Sequence, residues 1–170
     1  DCDTPVKVGR HVAVVGGGSR VYVEGGMNDE QFLGTVEVLN VDLNRWFKCE
    51  MMPTPRSHMA VAVVDDRFIW TFGGFSGNAV DVVEVFDTKK RSWSVKNTRM
   101  LSPRFGACAV SVCHNVFVIG GIIQRGNAWI STNSVDIIDT DTLQWTSGPP
   151  MIHSRFNHSA CSMFEIRKKI

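Results

Sequence analysis

A glycine pair returning at a nearly fixed interval constrains this chain more than any other feature. "VYVEGG" ends at Gly25-Gly26, "FIWTFGG" at Gly73-Gly74 and "VFVIGG" at Gly120-Gly121, spaced by 48 and then 47 residues. A period near 50 residues outranks any local motif in deciding the fold. Other landmarks keep step with the glycines. Trp46, Trp93 and Trp145 each stand nine residues after an acid, namely Glu37, Glu84 and Asp136. Ten or eleven residues after each Trp comes an arginine, Arg56, Arg104 or Arg155, with a Met shortly before it. Arg10 holds the same place in the first, less regular unit.

Within one unit the pattern is entirely β. In the second, "HMAVAVV" is nearly continuous apolar and suits a strand covered on both faces. Asp65-Asp66 supplies turn residues. "RFIWTF" is rich in aromatic and β-branched residues and stops at the glycines. "AVDVVEVF" alternates in part, and "SWSV" reads as a short, more exposed strand. No window carries a helical period with caps. One such unit leaves sheet faces bare, so it must stack on copies of itself. Four-stranded antiparallel units at this period, arranged radially, make a β-propeller. The blades are expected at about 10–49, 56–95 and 104–147, with the first strand of a fourth at about 155–164. The glycines suit sharp strand ends in close contact with a neighbour. Each Trp is expected to wedge between blades beside the glycines. The acid and the arginine are expected to pair, or to bond backbone, at blade junctions.

Glycine pair, apolar-Glu-apolar group, Trp and Arg together resemble the kelch repeat, over roughly residues 10 to 164. The family tends to carry Tyr two residues after the acid. Here Leu39, Phe86 and Ile138 stand there, which keeps an apolar group and loses a hydroxyl. The resemblance implies a partial kelch-type propeller of three blades plus one strand. Kelch-like propellers resemble six-bladed rings, so further blades are expected from the same or another chain. The chain does not begin with Met and is expected to be part of a larger protein.

The resemblance also implies a non-enzymatic, cytoplasmic protein-interaction module without a cofactor. In the kelch-like family, upstream BTB and BACK domains connect such a module to a cullin-based ubiquitin ligase, and the propeller recruits the ubiquitination substrate. Other kelch proteins bind actin, which is the alternative. Partners bind the propeller face formed by the second-to-third strand connections and the blade-to-blade turns. By position the candidates are Met27, Asn28, Asp29 and Glu30, then Phe75, Ser76 and Asn78, then Gln124, Arg125, Asn127 and Trp129. The blade-to-blade turns add Ser57, His58, Phe105, Phe156 and Asn157. The third connection, "IIQRGNAWISTN", is four or five residues longer than its siblings. It reads as a long loop bearing Arg125 and Trp129, residue types favoured in binding hot spots.

Composition narrows the alternatives. Eighteen basic residues face seventeen acidic ones, a net charge of +1. That balance gives no electrostatic reason to expect nucleic acid or a membrane surface as partner. The basic run Arg167-Lys168-Lys169 reads as a solvated tail. Five cysteines without a CxxC favour a reducing compartment over a disulfide scaffold. "AVVGGGSRV" would need a third glycine at Val21 and a following helix to bind a dinucleotide. It reads instead as a hairpin turn, and "GGFSGNA" likewise precedes a strand. His153 and His158 lack a matching carboxylate or thiol for metal. Cys108 and Cys113 read as buried small hydrophobes on an inner strand.

Overall fold

The computed structural model describes residues 9, 11–28 and 31–162. The first blade comprises β1 (Val12–Val15), β2 (Arg20–Glu24), β3 (Val36–Asn40) and β4 (Arg45–Lys48). The second comprises β5 (Ala60–Val64), β6 (Phe68–Phe72), β7 (Val82–Asp87) and β8 (Ser92–Arg99). The third begins with β9 (Cys108–Val112) and β10 (Asn115–Ile119), continues through β11 (Ile122–Arg125) and β12 (Ala128–Ser131), and ends with β13 (Val135–Asp139) and β14 (Trp145–Gly148). Each blade is a four-stranded antiparallel meander, and β11–β12 is a separate two-stranded ribbon. The architecture is all-β, with sheets that do not close into a ring.

Local chemistry sets the turns. Asp65 and Asp66 take φ of 54° and 48° between β5 and β6, the paired positive values that a two-residue hairpin turn needs. Gly17 and Gly18, at 66° and 85°, turn β1 into β2, as the hairpin reading of "GGGS" requires. Cys113 departs from expectation. It sits at φ 53° in the exposed β9–β10 turn, so only Cys108 is a buried small hydrophobe. β8 is also longer than the short strand expected from "SWSV", running eight residues. Its extension has partners in the third blade: Thr98 Oγ1 accepts from Trp145 Nε1 at 3.1 Å and donates to the Leu143 carbonyl at 3.3 Å.

The core lies between blades. Tyr22, Val36 and Val38 of the first blade meet Ile69 and Phe86 of the second, with Met52 and Met59 of the linker. Trp70, Phe72, Val83 and Val85 of the second meet Val116, Val118 and Ile138 of the third. This is the stacking that one amphipathic unit cannot supply alone. Trp93 tilts onto Phe86 at 5.2 Å and donates through Nε1 to the Glu50 carbonyl at 3.0 Å. Trp145 meets Phe72 edge-on at 6.0 Å. Both rings therefore lie against the preceding blade.

The space beside the glycines has a different occupant from the one expected. A Cβ on Gly25, Gly73 or Gly120 would stand 2.6, 2.5 or 2.6 Å from the carbonyl oxygen of Arg56, Arg104 or Arg155. Met52, Met100 and Met151 crowd the same three positions. Backbone and methionine, rather than the indole, exclude a side chain there. The repeated Met before each Arg thereby acquires a packing role.

The repeated acid and arginine pair within a blade. Arg56 NH1 lies 2.5 Å from Glu84 Oε2 with both side chains fully buried, and Arg104 NH2 lies 2.7 Å from Asp136 Oδ2. Thr54 also donates to Glu84, and Ser102 accepts from Arg104. Arg10 lies outside the described residues, and Glu37 is buried at the equivalent acidic position. Residues 155–162 form no strand, and 163–164 of the expected fourth-blade strand lie outside the described residues. The segment still makes junction contacts. Gly121 N–H donates to the Arg155 carbonyl at 2.9 Å, as Gly26 does to Arg56 and Gly74 to Arg104. The basic run at 167–169 is likewise outside the described residues.

Candidate protein-interaction face

Reciprocal backbone bonds tie each blade-entry turn to the loop after that blade's glycine pair. Gly9 and Met27 exchange N–H to carbonyl bonds of 2.9 and 2.8 Å, Ser57 and Phe75 of 3.0 and 2.8 Å, and Phe105 and Ile122 of 3.2 and 2.8 Å. Further bonds join neighbouring turns: Gly106 N–H donates to the His58 carbonyl at 2.9 Å, and Asn157 N–H to the Gly106 carbonyl at 2.8 Å. The connections named from sequence thus occupy one face and are fixed by main chain, which any side chain permits.

That framework brings aromatic side chains from three blades together. Phe32 meets Phe75 edge-on at 5.8 Å, Phe75 meets Phe105 at 5.1 Å, and Phe105 meets Trp129 at 5.4 Å. Phe75 also reaches Trp129 at 6.3 Å, and the His58 ring stands 6.0 Å from Phe105. Edge-to-face contact at these separations is the favoured aromatic geometry. The result is an arc that crosses both blade junctions. Its far end, Trp129, is 44% exposed, so the arc is held from behind and open in front.

Trp129 owes its place to a ribbon that sequence reading took for a loop. β11 and β12 pair from Ile122 with Ser131 to Arg125 with Ala128 across a turn of Gly126 and Asn127. Gly126, at φ 60°, supplies the positive angle at the first central position of a two-residue turn. Gln124 pairs with Trp129 across the ribbon, and its Nε2 donates to the Gly126 carbonyl at 3.2 Å. Arg125 and Asn127 are exposed at the tip.

The remaining candidates divide. Ser57 is fully buried, with Oγ 2.9 Å from His58 Nδ1, so it sits beneath the face and does not contact a partner directly. Ser76 and Asn78 are exposed, the Ser76 N–H donating to the Asn78 carbonyl at 3.0 Å. Asn28 Oδ1 accepts from the Gln31 N–H at 2.8 Å. Asp29 and Glu30 lie outside the described residues. Phe156 is 49% exposed and Asn157 is exposed beside it. Phe32, bridged to Met27, is the member that sequence reasoning missed.

Next to the arc, the inner strands β1, β5 and β9 line a cleft of about 450 Å³ that includes His11, His58 and His158. Burial, and then the Arg155 charge, push the His158 imidazole below its ordinary value. Among the described residues no group of three or more metal-ligating side chains gathers, and no helix is long and apolar enough to cross a membrane.

Stacked four-stranded blades, glycine-closed second strands and a loop face built on backbone bonds define a partial kelch-type propeller, a protein-interaction architecture. The chain belongs to the kelch-repeat family: the KLHDC2/KLHL20/DRC7 Kelch-repeats domain matches residues 1–170. It is 29% identical to acyl-CoA-binding domain-containing protein 4 of Arabidopsis thaliana, over 81% of this chain and 21% of that protein. It is 25% identical to beta-scruin of Limulus polyphemus, over 78% of this chain and 16% of that protein. It is 29% identical to kelch-like protein 38 of Danio rerio, over 88% of this chain and 25% of that protein. The chain spans a quarter or less of the length of these relatives.

Proposed function

We propose that this chain is the substrate-reading part of a cytoplasmic ubiquitin-ligase adaptor, and that the aromatic arc Phe32–Phe75–Phe105–Trp129 with the Arg125 ribbon tip grips the partner protein or peptide. The observation that carries the reading is the arc itself. Four rings from three blades sit edge to face on the loop face, where the repeats differ most. Aromatic and arginine anchors of this kind dominate binding energy at protein interfaces. Support for the adaptor role comes from the printed names of other relatives. They include a kelch repeat and BTB domain-containing protein of Caenorhabditis elegans and an F-box/kelch-repeat protein of Arabidopsis thaliana.

The test is affinity purification of the protein from cells with its whole reading frame. A cullin should co-purify, and at least one ubiquitinated partner should be lost from the Trp129→Ala/Arg125→Ala variant while the cullin remains. Partners that are indifferent to this variant would remove the arc from the reading. Co-sedimentation of the chain with actin filaments, without a cullin, would establish the cytoskeletal alternative instead.

A further inference from the structure

The two blade junctions are built from equivalent positions and differ sharply in one corner. Five residues before the glycine pair stands Arg20 in the first blade and Phe68 in the second; three before it stand Tyr22 and Trp70. Two residues before the outer Trp stands Arg91 in the second blade and Leu143 in the third; four before it stand Lys89 and Asp141. Between the second and third blades, Phe68, Trp70 and Leu143 pack together in one apolar cluster, and Lys96 covers the Trp70 ring at 5.3 Å. Between the first and second blades the same corner is a cleft of about 520 Å³. Tyr22, Val38 and Phe86 form its apolar side, and Arg20, Lys89 and Arg91 supply its charge.

The acids nearby are already engaged. Asp87 accepts from Arg67 Nε at 3.0 Å and NH2 at 2.6 Å, and from the Lys89 and Lys90 N–H groups. Asp66 also lines the cleft, its Oδ1 accepting from the Gly17 N–H at 3.0 Å, so the lining carries three cations and one carboxylate. Glu50 accepts from the Trp93 N–H at 3.2 Å. Among the described residues, Arg20, Lys89 and Arg91 take part in no ion pair. Arg20 NH1 donates to the Gly17 carbonyl at 2.9 Å, which anchors the guanidinium by the cleft. Three like charges around one cavity repel each other. The other junction closes the same corner with apolar side chains, so packing alone does not call for them.

We propose that this cleft binds a small organic phosphate. Arg20, Lys89 and Arg91 hold the anionic group, and the apolar part of the ligand lies over Tyr22, Val38 and Phe86. Two guanidinium forks and an ammonium match a dianionic phosphate, and arginine suits bidentate oxyanion contact. The volume falls within the range of small-molecule sites. Gly17, Asp66, Lys89 and Arg91 belong to the β1–β2, β5–β6 and β7–β8 turns, at the strand ends opposite the aromatic arc. The site therefore stands or falls independently of the interaction face.

Calorimetric titration of the 170-residue chain with phenyl phosphate tests it. Saturable binding is expected, weaker for inorganic phosphate, weaker again at raised salt, and reduced about tenfold or more in Arg20→Phe/Arg91→Leu. That variant installs the residues of the other junction, and its fold is checked by circular dichroism. Should it fail to fold, Lys89→Gln with Arg91→Gln replaces it, with the same loss expected. Absence of saturation up to about 10 mM, where binding would be worth under about 3 kcal/mol, overturns the proposal. Equal affinity in the variants overturns it too. Tighter, variant-sensitive binding of a polyglutamate peptide would assign the cleft to an acidic protein segment and likewise overturn it.

Discussion

Glu24 occupies the position that Phe72 and Ile119 hold in the other blades, immediately before the glycine pair. It is fully buried, and Thr71 Oγ1 donates to its Oε2 at 3.0 Å. Burial is the main cause that pushes its carboxyl up to about 7, with Glu84 adding to the shift and Thr71 and Arg56 opposing it. The native state therefore holds this proton at pH values where the unfolded chain has released it. Stability from this group is complete below about pH 4.5, falls as pH rises toward about 7, and is gone above. Urea melts from pH 5 to 8 should show that decline, and Glu24→Gln should flatten it and gain roughly 1–3 kcal/mol near pH 8. A slope unchanged by the substitution would assign the pH dependence elsewhere. The Arg56–Glu84 pair makes the opposite case. Removing one partner strands a buried charge, so Arg56→Met alone is expected to cost about 3–5 kcal/mol in chemical denaturation. The pair itself was legible, because arginine and acid recur once per repeat. Glu24 was not, because a single glutamate beside glycines carries no sign of the blade that will cover it.

Among the elements, the β11–β12 ribbon is the clearest departure from the sequence reading. Its extra length was visible, and its interpretation as a loop was incorrect. The missed signal is local: "IIQR" and "AWIS" flank Gly126-Asn127, a two-residue hairpin turn. Because β10 pairs directly with β13 and β9, the blade does not need the ribbon for its sheet. Replacing residues 123–130 by a short glycine-serine connection is expected to leave the melting temperature within about 4 °C, a change of under about 1 kcal/mol, while abolishing partner capture. A large loss of stability would show that the ribbon is scaffold. The glycine-closed ends of the second strands and the stacking of blades were legible, since period and glycine positions dictate them, whereas the full length of β8 was not. Phe32 was not, because its partner Phe75 is brought to it only by the stacking of two blades.

At the scale of the molecule, three stacked blades leave the outer sheets of the first and third without a described neighbour on one side. Val15, Val41 and Phe47 are exposed on or beside the first blade, and Ile152 and Phe156 follow the third. Unprotected sheet surface of this kind favours association. Light scattering of the 18.9 kDa chain is expected to show a mass that rises with concentration. A strictly monomeric mass at all concentrations would mean that these surfaces are adequately masked by polar neighbours. The expectation of stacked, unclosed blades came from the sequence, but which side chains the open ends expose depended on turn geometry that no repeat landmark encodes.

The arc of rings spans two seams, and this gives the molecule a mechanical property. A ligand gripping Phe32, Phe75 and Trp129 at once would press on three stacked sheets and tie them like a clasp. Its binding energy would then appear partly as cohesion of the stack. A partner peptide at a hundred times its dissociation constant would raise stability by about 2.7 kcal/mol if it favours the stacked form alone.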